Sequence, residues 1–366
     1  MVEWKKLGDM CQLERGVRVV KKDLQEEGNI PVFQNSLTPL GYYEDSNYPE
    51  NTPFVICAGA AGEIGFSKKA FWAADDCTCI VCSPLTNSKY VYYFLMVKQH
   101  MLKSQVRKAS VPRLSKDVIG KLQIPVPSLS EQNRIVGILD TFTASIDNLK
   151  EQIVQRRKQY EYYRDQLLDL EGKDGVEMKT LGEIAKYRRG SFPQPYGNRE
   201  WYDGKGAMPF VQVADVEEYG RKLKERTKQY ISTLAMPKSV YAPKGTVIVT
   251  LQGSIGKVAI TQYDSYIDRT LGIFEGYRID IDKIYFALQL EKIFSIKKEK
   301  ARGGTIKTIT KEEFTNFLIP VPSLVRQKLI VDILDKFEAS IQNLEAQLAG
   351  REKQYEYYRN KLLTFE

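Results

Sequence analysis

Histidine and cysteine, the side chains most used for proton transfer, nucleophilic attack and metal binding near neutral pH, are few in this 366-residue chain. His100 is the only histidine, and histidine is the usual proton carrier and metal ligand near neutral pH. The five cysteines, Cys11, Cys57, Cys77, Cys79 and Cys82, all fall in the first quarter. Cys77-x-Cys79-x2-Cys82 with Cys57 has the thiolates of a zinc site. Cys77 and Cys79 alternate along a β-like segment, however, and the matching stretch Ile267-Asp-Arg-Thr-Leu-Gly-Ile273 has no cysteine. Small buried apolar residues is therefore the better reading, and no metal is expected. An odd count gives no disulfide framework and fits reduced thiols in a cytoplasm. Gly253-Ser-Ile-Gly-Lys257 runs into Val258, so it lacks the spacing and the hydroxyl of a phosphate-binding loop. Gly59, Gly62 and Gly65 lead into the short, broken Phe66-Ser-Lys-Lys-Ala-Phe-Trp72 rather than a helix, and read as a turn. No Asn/Asp-Pro-Pro-aromatic motif of an amino-methyltransferase is present. No catalytic residue is expected.

What positions the remaining candidates is a duplication. Ile124-Pro-Val-Pro-Ser-Leu129 returns as Ile319-Pro-Val-Pro-Ser-Leu324, and 30 of the 48 positions from 124–171 are identical in 319–366. That is too many for chance, so the halves are repeats. Val2-Glu-Trp-Lys-Lys-Leu-Gly8 pairs likewise with Val176-Glu-Met-Lys-Thr-Leu-Gly182, and Arg15-Gly16 with Arg189-Gly190, now at an offset of 174. The second half thus carries some 21 extra residues between its ends.

Within each repeat, apolar positions step by 4 and 3 for about five heptads: Ile135, Leu139, Phe142, Ile146 onward, and Ile330, Leu334, Phe337, Ile341 onward. The Ile-Pro-Val-Pro run cannot propagate helix, so each helix starts after it and spans about 36 residues, or about 54 Å. Arg156 and Arg351 occupy the same seam position. Parallel pairing would face two guanidiniums; antiparallel pairing separates them and is expected. The segments before the helices mix strand-like runs (Thr52–Cys57, Cys77–Cys82, Gly245–Leu251) with helices at 90–101 and 284–296. The expected fold is mixed α/β with a pseudo-two-fold internal repeat. Its parts are module one at 1–130, a spacer helix at 131–171, module two at 176–325 and a second spacer helix at 326–366.

A formal charge of +8 and a pI near 8.9 suit a polyanion binder. Turn-rich stretches hold Arg15, Arg18, Lys21, Lys22, Lys68, Lys69, Arg107 and Arg113 in the first module, and Arg188, Arg189, Lys222, Lys224, Lys257, Arg269 and Lys307 in the second. Gln34, Asn35, Tyr196, Gln212, Gln252 and Ser254 lie among them and could bond base edges. Tyr162 and its twin Tyr357, beside Tyr163 and Tyr358, repeat an aromatic patch on both helices and read as a protein-docking surface. No run of ~18 apolar residues is present, and Met1-Val-Glu-Trp-Lys is not a signal peptide, so a cytoplasmic chain is expected.

Two diverged modules, each followed by Ile-Pro-Val-Pro-Ser-Leu, a glutamine (Gln132, Gln327) and a heptad helix, resemble the specificity subunit of type I restriction–modification systems. The resemblance covers essentially the whole chain. It implies that the modules are target recognition domains reading a bipartite site on double-stranded DNA, with the helices as an antiparallel spacer. It also implies partners: two methyltransferase subunits that methylate adenine, and ATP-driven restriction subunits. The chain itself would bind no cofactor; S-adenosylmethionine, ATP and magnesium would belong to those partners. By position, the Arg-Gly turns and the loops near 62–69 and 252–257 would approach DNA. A coiled-coil adaptor with two protein-binding modules is the alternative, and steep weakening by salt would count against it.

Overall fold

The computed structural model describes residues 2–20, 22, 24–300 and 311–365. It divides into two compact units, residues 1–151 with 345–366, and residues 152–344.

The first unit begins β1 (Glu3–Lys6), α1 (Leu7–Met10), β2 (Cys11–Arg15), β3 (Ile30–Phe33), β4 (Gly41–Tyr43), β5 (Pro53–Ile56), β6 (Ile64–Phe66), β7 (Trp72–Ala73) and β8 (Cys77–Cys82). There follow α2 (Ser88–Ser104), α3 (Lys116–Gly120), β9 (Gln123–Val126) and the long α4 (Leu129–Leu168), which runs on into the second unit. Among the described residues these strands form three sheets, ordered β2-β8-β5-β6, β4-β3-β7 and β1-β9. The apolar run of β5 is buried at all four positions, as expected of a central strand covered on both faces. Helix α2 buries Tyr90, Val91, Phe94, Leu95 and Leu102 in the core it shares with β5 and β8. Each such side chain contributes roughly 1.5–3 kcal/mol.

The second unit repeats this plan. Its elements are β10 (Glu177–Thr180), α5 (Leu181–Ile184), β11 (Ala185–Arg189), β12 (Met208–Val211), β13 (Gln229–Ile231), β14 (Val240–Ala242), β15 (Val247–Thr250), β16 (Val258–Ile260), β17 (Ser265–Ile267) and β18 (Leu271–Tyr277). They continue with α6 (Lys283–Lys300), α7 (Lys311–Thr315), β19 (Leu318–Val321) and α8 (Leu324–Thr364), whose end returns to the first unit. The sheets are β11-β18-β15-β16, β13-β12-β17-β14 and β10-β19.

The Ile-Pro-Val-Pro run does more than stop a helix. Its first residues form β9 and β19, paired antiparallel with the start of each half: Trp4 faces Pro125 and Met178 faces Pro320. Proline is tolerated here because each ribbon has only two strands and the missing N–H can face away from the partner. The next turn is organised by Gln132 and Gln327, each 1% exposed. Gln132 accepts a bond from the Asn87 N–H at 2.9 Å and donates to the Pro127 carbonyl at 3.0 Å. Gln327 does the same with Asp282 and Pro322, both at 2.8 Å. One buried amide side chain thus satisfies two backbone groups and ties the long helix to the cap of α2 or α6.

The long helices have 40 and 41 residues, longer than expected because each begins right after Pro-Ser rather than a turn later. They pair antiparallel in each unit. In the first, Phe142 stacks on Tyr358 and Lys150 pairs with Glu352 at 3.4 Å. In the second, Tyr163 stacks on Phe337 and Tyr160 donates to Glu338 at 2.8 Å. The final apolar positions leave the seam and enter module cores: Leu363 joins the first, and Leu168 and Leu170 a cluster with Tyr285 and Leu334. No helix among the described residues is long and apolar enough to cross a membrane.

Candidate nucleic-acid interface

In each module one sheet hairpin, β5–β6 or β15–β16, turns through two glycines three apart with positive φ. They are Gly59 (79°) and Gly62 (87°) between β5 and β6, and Gly253 (69°) and Gly256 (82°) between β15 and β16. Gly62 N–H donates to the Ile56 carbonyl and Gly256 N–H to the Thr250 carbonyl, both at 2.8 Å. A Cβ at Gly62 would come within 2.9 Å of Lys103, and one at Gly256 within 2.5 Å of Phe294. These glycines let the turn lie on α2 or α6. Gly65 belongs to the core instead, against the Phe54 ring.

Other loops gather beside this turn. In the first module, Ala60 N–H bonds the Asn35 carbonyl at 2.9 Å, Cys57 N–H bonds the Asp76 carbonyl at 2.6 Å, and Gly59 N–H bonds the Pro112 carbonyl at 3.2 Å. Gln34 Nε2 reaches Asp76 at 3.4 Å, and Arg15 Nε donates to the Asp75 carbonyl at 2.7 Å. Arg107 and Arg113 exchange backbone bonds within the loop carrying Pro112. Arg15, Gln34, Asn35, Arg107 and Arg113 therefore share one rim, and its three arginines are exposed.

The second module builds the matching rim. Leu251 N–H bonds the Thr270 carbonyl at 2.8 Å, and Asp268 N–H bonds the Val211 carbonyl at 3.0 Å next to Gln212. Gln252 and Ser254 are exposed on the turn. The exposed Arg269 lies with its guanidinium 5.1 Å from the Tyr196 ring centre, and Tyr196 packs on Phe192. Arg189-Gly190 and Arg15-Gly16 close the rims, and the glycines are steric requirements. A Cβ on Gly16 would sit 2.3 Å from the carbonyl oxygens of Ala73 and Ala74, and one on Gly190 would meet those of Ile267 and Asp268 at 2.2 and 2.3 Å.

Several expected contact residues lie elsewhere or are engaged by a neighbouring carboxylate. Lys68 and Lys69 are exposed at the far end of β6 from the glycine turn. Arg18 and Lys22 are exposed in the segment after β2. Arg188 pairs with Glu275 of the neighbouring strand at 3.4 Å, and Lys257 pairs with Glu218. Lys222 lines a cavity of about 320 Å³ with Arg221, Asp335 and Glu338. Lys224 is exposed, and its carbonyl accepts from Tyr263, whose phenol burial pushes up to about 12. Lys21 and Lys307 lie outside the described residues. Of the residues in the turns after β7 and β17, Arg269 is among the sequence candidates, whereas Asp75, Asp76, Asp268 and Thr270 are not; only their place just after the strand paired with β3 or β12 marks them.

The cysteines share the first module's larger sheet without converging. Cys77 contacts the carbonyls of Phe33 and Gln34, Cys57 the Thr78 hydroxyl, and Cys11 faces Cys82 with sulfurs 3.3 Å apart. Burial pushes the thiols of Cys57, Cys77 and Cys79 upward, so they are poor nucleophiles.

Residues 1–156 and 173–350 each match the family described as the type I restriction modification DNA specificity domain. The chain belongs to that family. It is 30% identical over its whole length to the specificity subunit of a type I restriction enzyme of Escherichia coli, covering 94% of that protein. It also has the fold of the type I S subunit from M. genitalium, with a TM-score of 0.65, 19% identity and coverage of 100% and 97% of the two chains. A chain in a structure described for complex assembly of a type I restriction–modification system matches at a TM-score of 0.64 and 17% identity, over 99% and 97%.

In this specificity chain the repeated aromatic patch is present on both helices. Tyr162 and Tyr357 are 59% and 58% exposed, and each sits edge-on to its neighbour, Tyr163 or Tyr358. Tyr163 and Tyr358 also stack across to the opposite helix.

Proposed function

We propose that this specificity chain reads a bipartite site on double-stranded DNA, one half-site per module, through the two loop rims. The observation that carries this is the rim itself, built twice from the same glycine turn, the same strand exits and exposed arginines. Arginines there neutralise phosphates, while Gln34, Asn35, Gln212, Gln252 and Arg269 have the donors and acceptors that base edges require. Lys68, Lys69, Arg18, Lys22, Lys222 and Lys224 join as flanking phosphate contacts at most. The paired tyrosines at 162–163 and 357–358 are the docking surface for two methyltransferase subunits, because a repeated surface takes a repeated partner. Restriction subunits would join through that complex. S-adenosylmethionine, ATP and magnesium would bind on those partners, and this chain supplies sequence choice alone.

The antiparallel helices then act as the ruler for the gap. Removing seven facing residues from each helix near Lys150 and Glu352 shortens the spacer by about 10 Å, or about three base pairs. The expected result is a methylated motif with a changed gap and unchanged half-site sequences. Altered half-site sequences would contradict the ruler.

A further inference from the structure

The two modules differ most between their third and fourth matching strands. Residues 34–40 connect β3 to β4, whereas 212–228 connect β12 to β13, which takes up about half of the second module's surplus. This longer segment starts on the recognition rim at Gln212, where Val213 lies against the Gly253 turn. Its Glu218 pairs with Lys257 just beyond that turn. Asp215, 1% exposed, holds both ends of the segment by accepting from the backbone N–H groups of Gln212 and Lys228, both at 2.8 Å.

The middle of the segment reaches the long helices. Tyr219 lies under the Arg157 guanidinium of α4, 4.6 Å from ring centre to charge. Next to it Arg221, with its side chain 6% exposed, donates to Glu338 of α8 at 2.6 Å, to Glu291 of α6 at 3.3 Å and to the Tyr160 hydroxyl of α4 at 3.2 Å. Tyr160 in turn donates to Glu338. Arg221 holds a left-handed backbone at φ 50°, a conformation side-chain-bearing residues avoid unless the surroundings fix it. Two carboxylates and a phenol on one planar guanidinium make a rigid, direction-sensitive joint. Among the described residues the first module shows no such joint: the positions matching Glu291 and Glu338 are Met96 and Thr143. That module is tied to α4 by Lys89 and Tyr93 on Asp140 instead.

We propose that residues 212–228 form a strut that locks the second module's recognition rim to the spacer helices, with Arg221 as its positioning residue, and that this lock enforces a single gap length. The apolar contacts of α6 with α4 and α8 hold the module on the spacer. The strut adds a second attachment, from the lobe bearing the rim, and so removes rocking about the first. The inference rests on the bipartite reading proposed above.

The test uses the full chain co-purified with its methyltransferase subunits and DNA duplexes carrying both half-sites with the native gap or one base pair more or fewer. If the wild-type complex methylates no bipartite duplex, the proposed function fails before the strut is tested. Arg221→Met combined with Glu291→Gln and Glu338→Gln removes the charges together, leaving no buried carboxylate unpaired. This variant is expected to keep both half-site sequences and the native-gap rate, while its relative rate on off-gap duplexes rises by about tenfold. A gap preference equal to that of wild type would overturn the strut. Should the triple variant not assemble, Arg221→Lys carries the test. One ammonium cannot span both carboxylates and the phenol, so a smaller loosening in the same direction is expected, and an unchanged preference would again overturn the proposal.

Discussion

Phe142 of the first long helix stacks on Tyr358 of the second, with ring centres 5.4 Å apart. The twin pair, Tyr163 and Phe337, repeats the stack at 5.4 Å. Each phenylalanine also lies near the arginine of the seam position discussed above, Arg351 at 5.7 Å from Phe142 and Arg156 at 5.9 Å from Phe337. Antiparallel pairing thus does more than separate two guanidiniums; it gives each an aromatic face.

A double-mutant cycle reads this pairing directly. Phe142→Ala with Tyr358→Ala should show a coupling of about 1 kcal/mol in unfolding experiments, the usual worth of an aromatic pair beyond its burial. Phe142→Ala with Phe337→Ala, which would face each other in a parallel in-register pair, should be additive.

Gln132 and Gln327 are expected to matter out of proportion to their size. Gln132→Leu keeps the volume but strands the Pro127 carbonyl in the interior and removes the partner of the Asn87 N–H, costing about 2 kcal/mol. Thermal unfolding should show a fall in Tm of several degrees for either single substitution, whereas Gln342→Leu on the exposed side of α8 should change it little.

Two pairs of glycines separate sterics from flexibility. Gly16→Ala and Gly190→Ala push a methyl against backbone carbonyls and should destabilise their modules by about 2 kcal/mol. Gly137→Ala and Gly350→Ala meet no atom within 4 Å on the long helices and should stabilise by about 0.5–1 kcal/mol. Denaturant midpoints at constant slope distinguish the two directions.

Salt titration of DNA binding maps the rim. Arg15→Ala and Arg113→Ala should each lower the slope of log affinity against log salt by about one unit, because each removes one phosphate contact. Lys68→Ala and Lys69→Ala, at the other end of β6, should change it less. Equal slopes for all four variants would place the DNA elsewhere on the first module.

Much of the fold was legible because the helix signal repeats. The heptads and their twin copies locate α4 and α8, and the like charge of Arg156 and Arg351 orients them. Proline content concealed β9 and β19, since an Ile-Pro-Val-Pro run reads as a break unless its two-stranded pairing is visible. The Arg-Gly twins were visible as sequence, but their reason is the nearness of carbonyls about 57 or 77 residues away, which only the fold brings close. Rim membership depends on which end of a short strand a lysine occupies, so Lys68 and Arg113 look alike in sequence. Arg221 lies in the insertion of the second half, where comparing the two repeats has nothing to align.

Co-expression with a type I methyltransferase subunit, followed by single-molecule sequencing of the host DNA for N6-methyladenine, tests DNA recognition by this chain most directly. The expected result is a bipartite methylated motif that disappears when this chain is removed. Methylation that is unchanged by its removal, with the methyltransferase demonstrably active, would contradict the account.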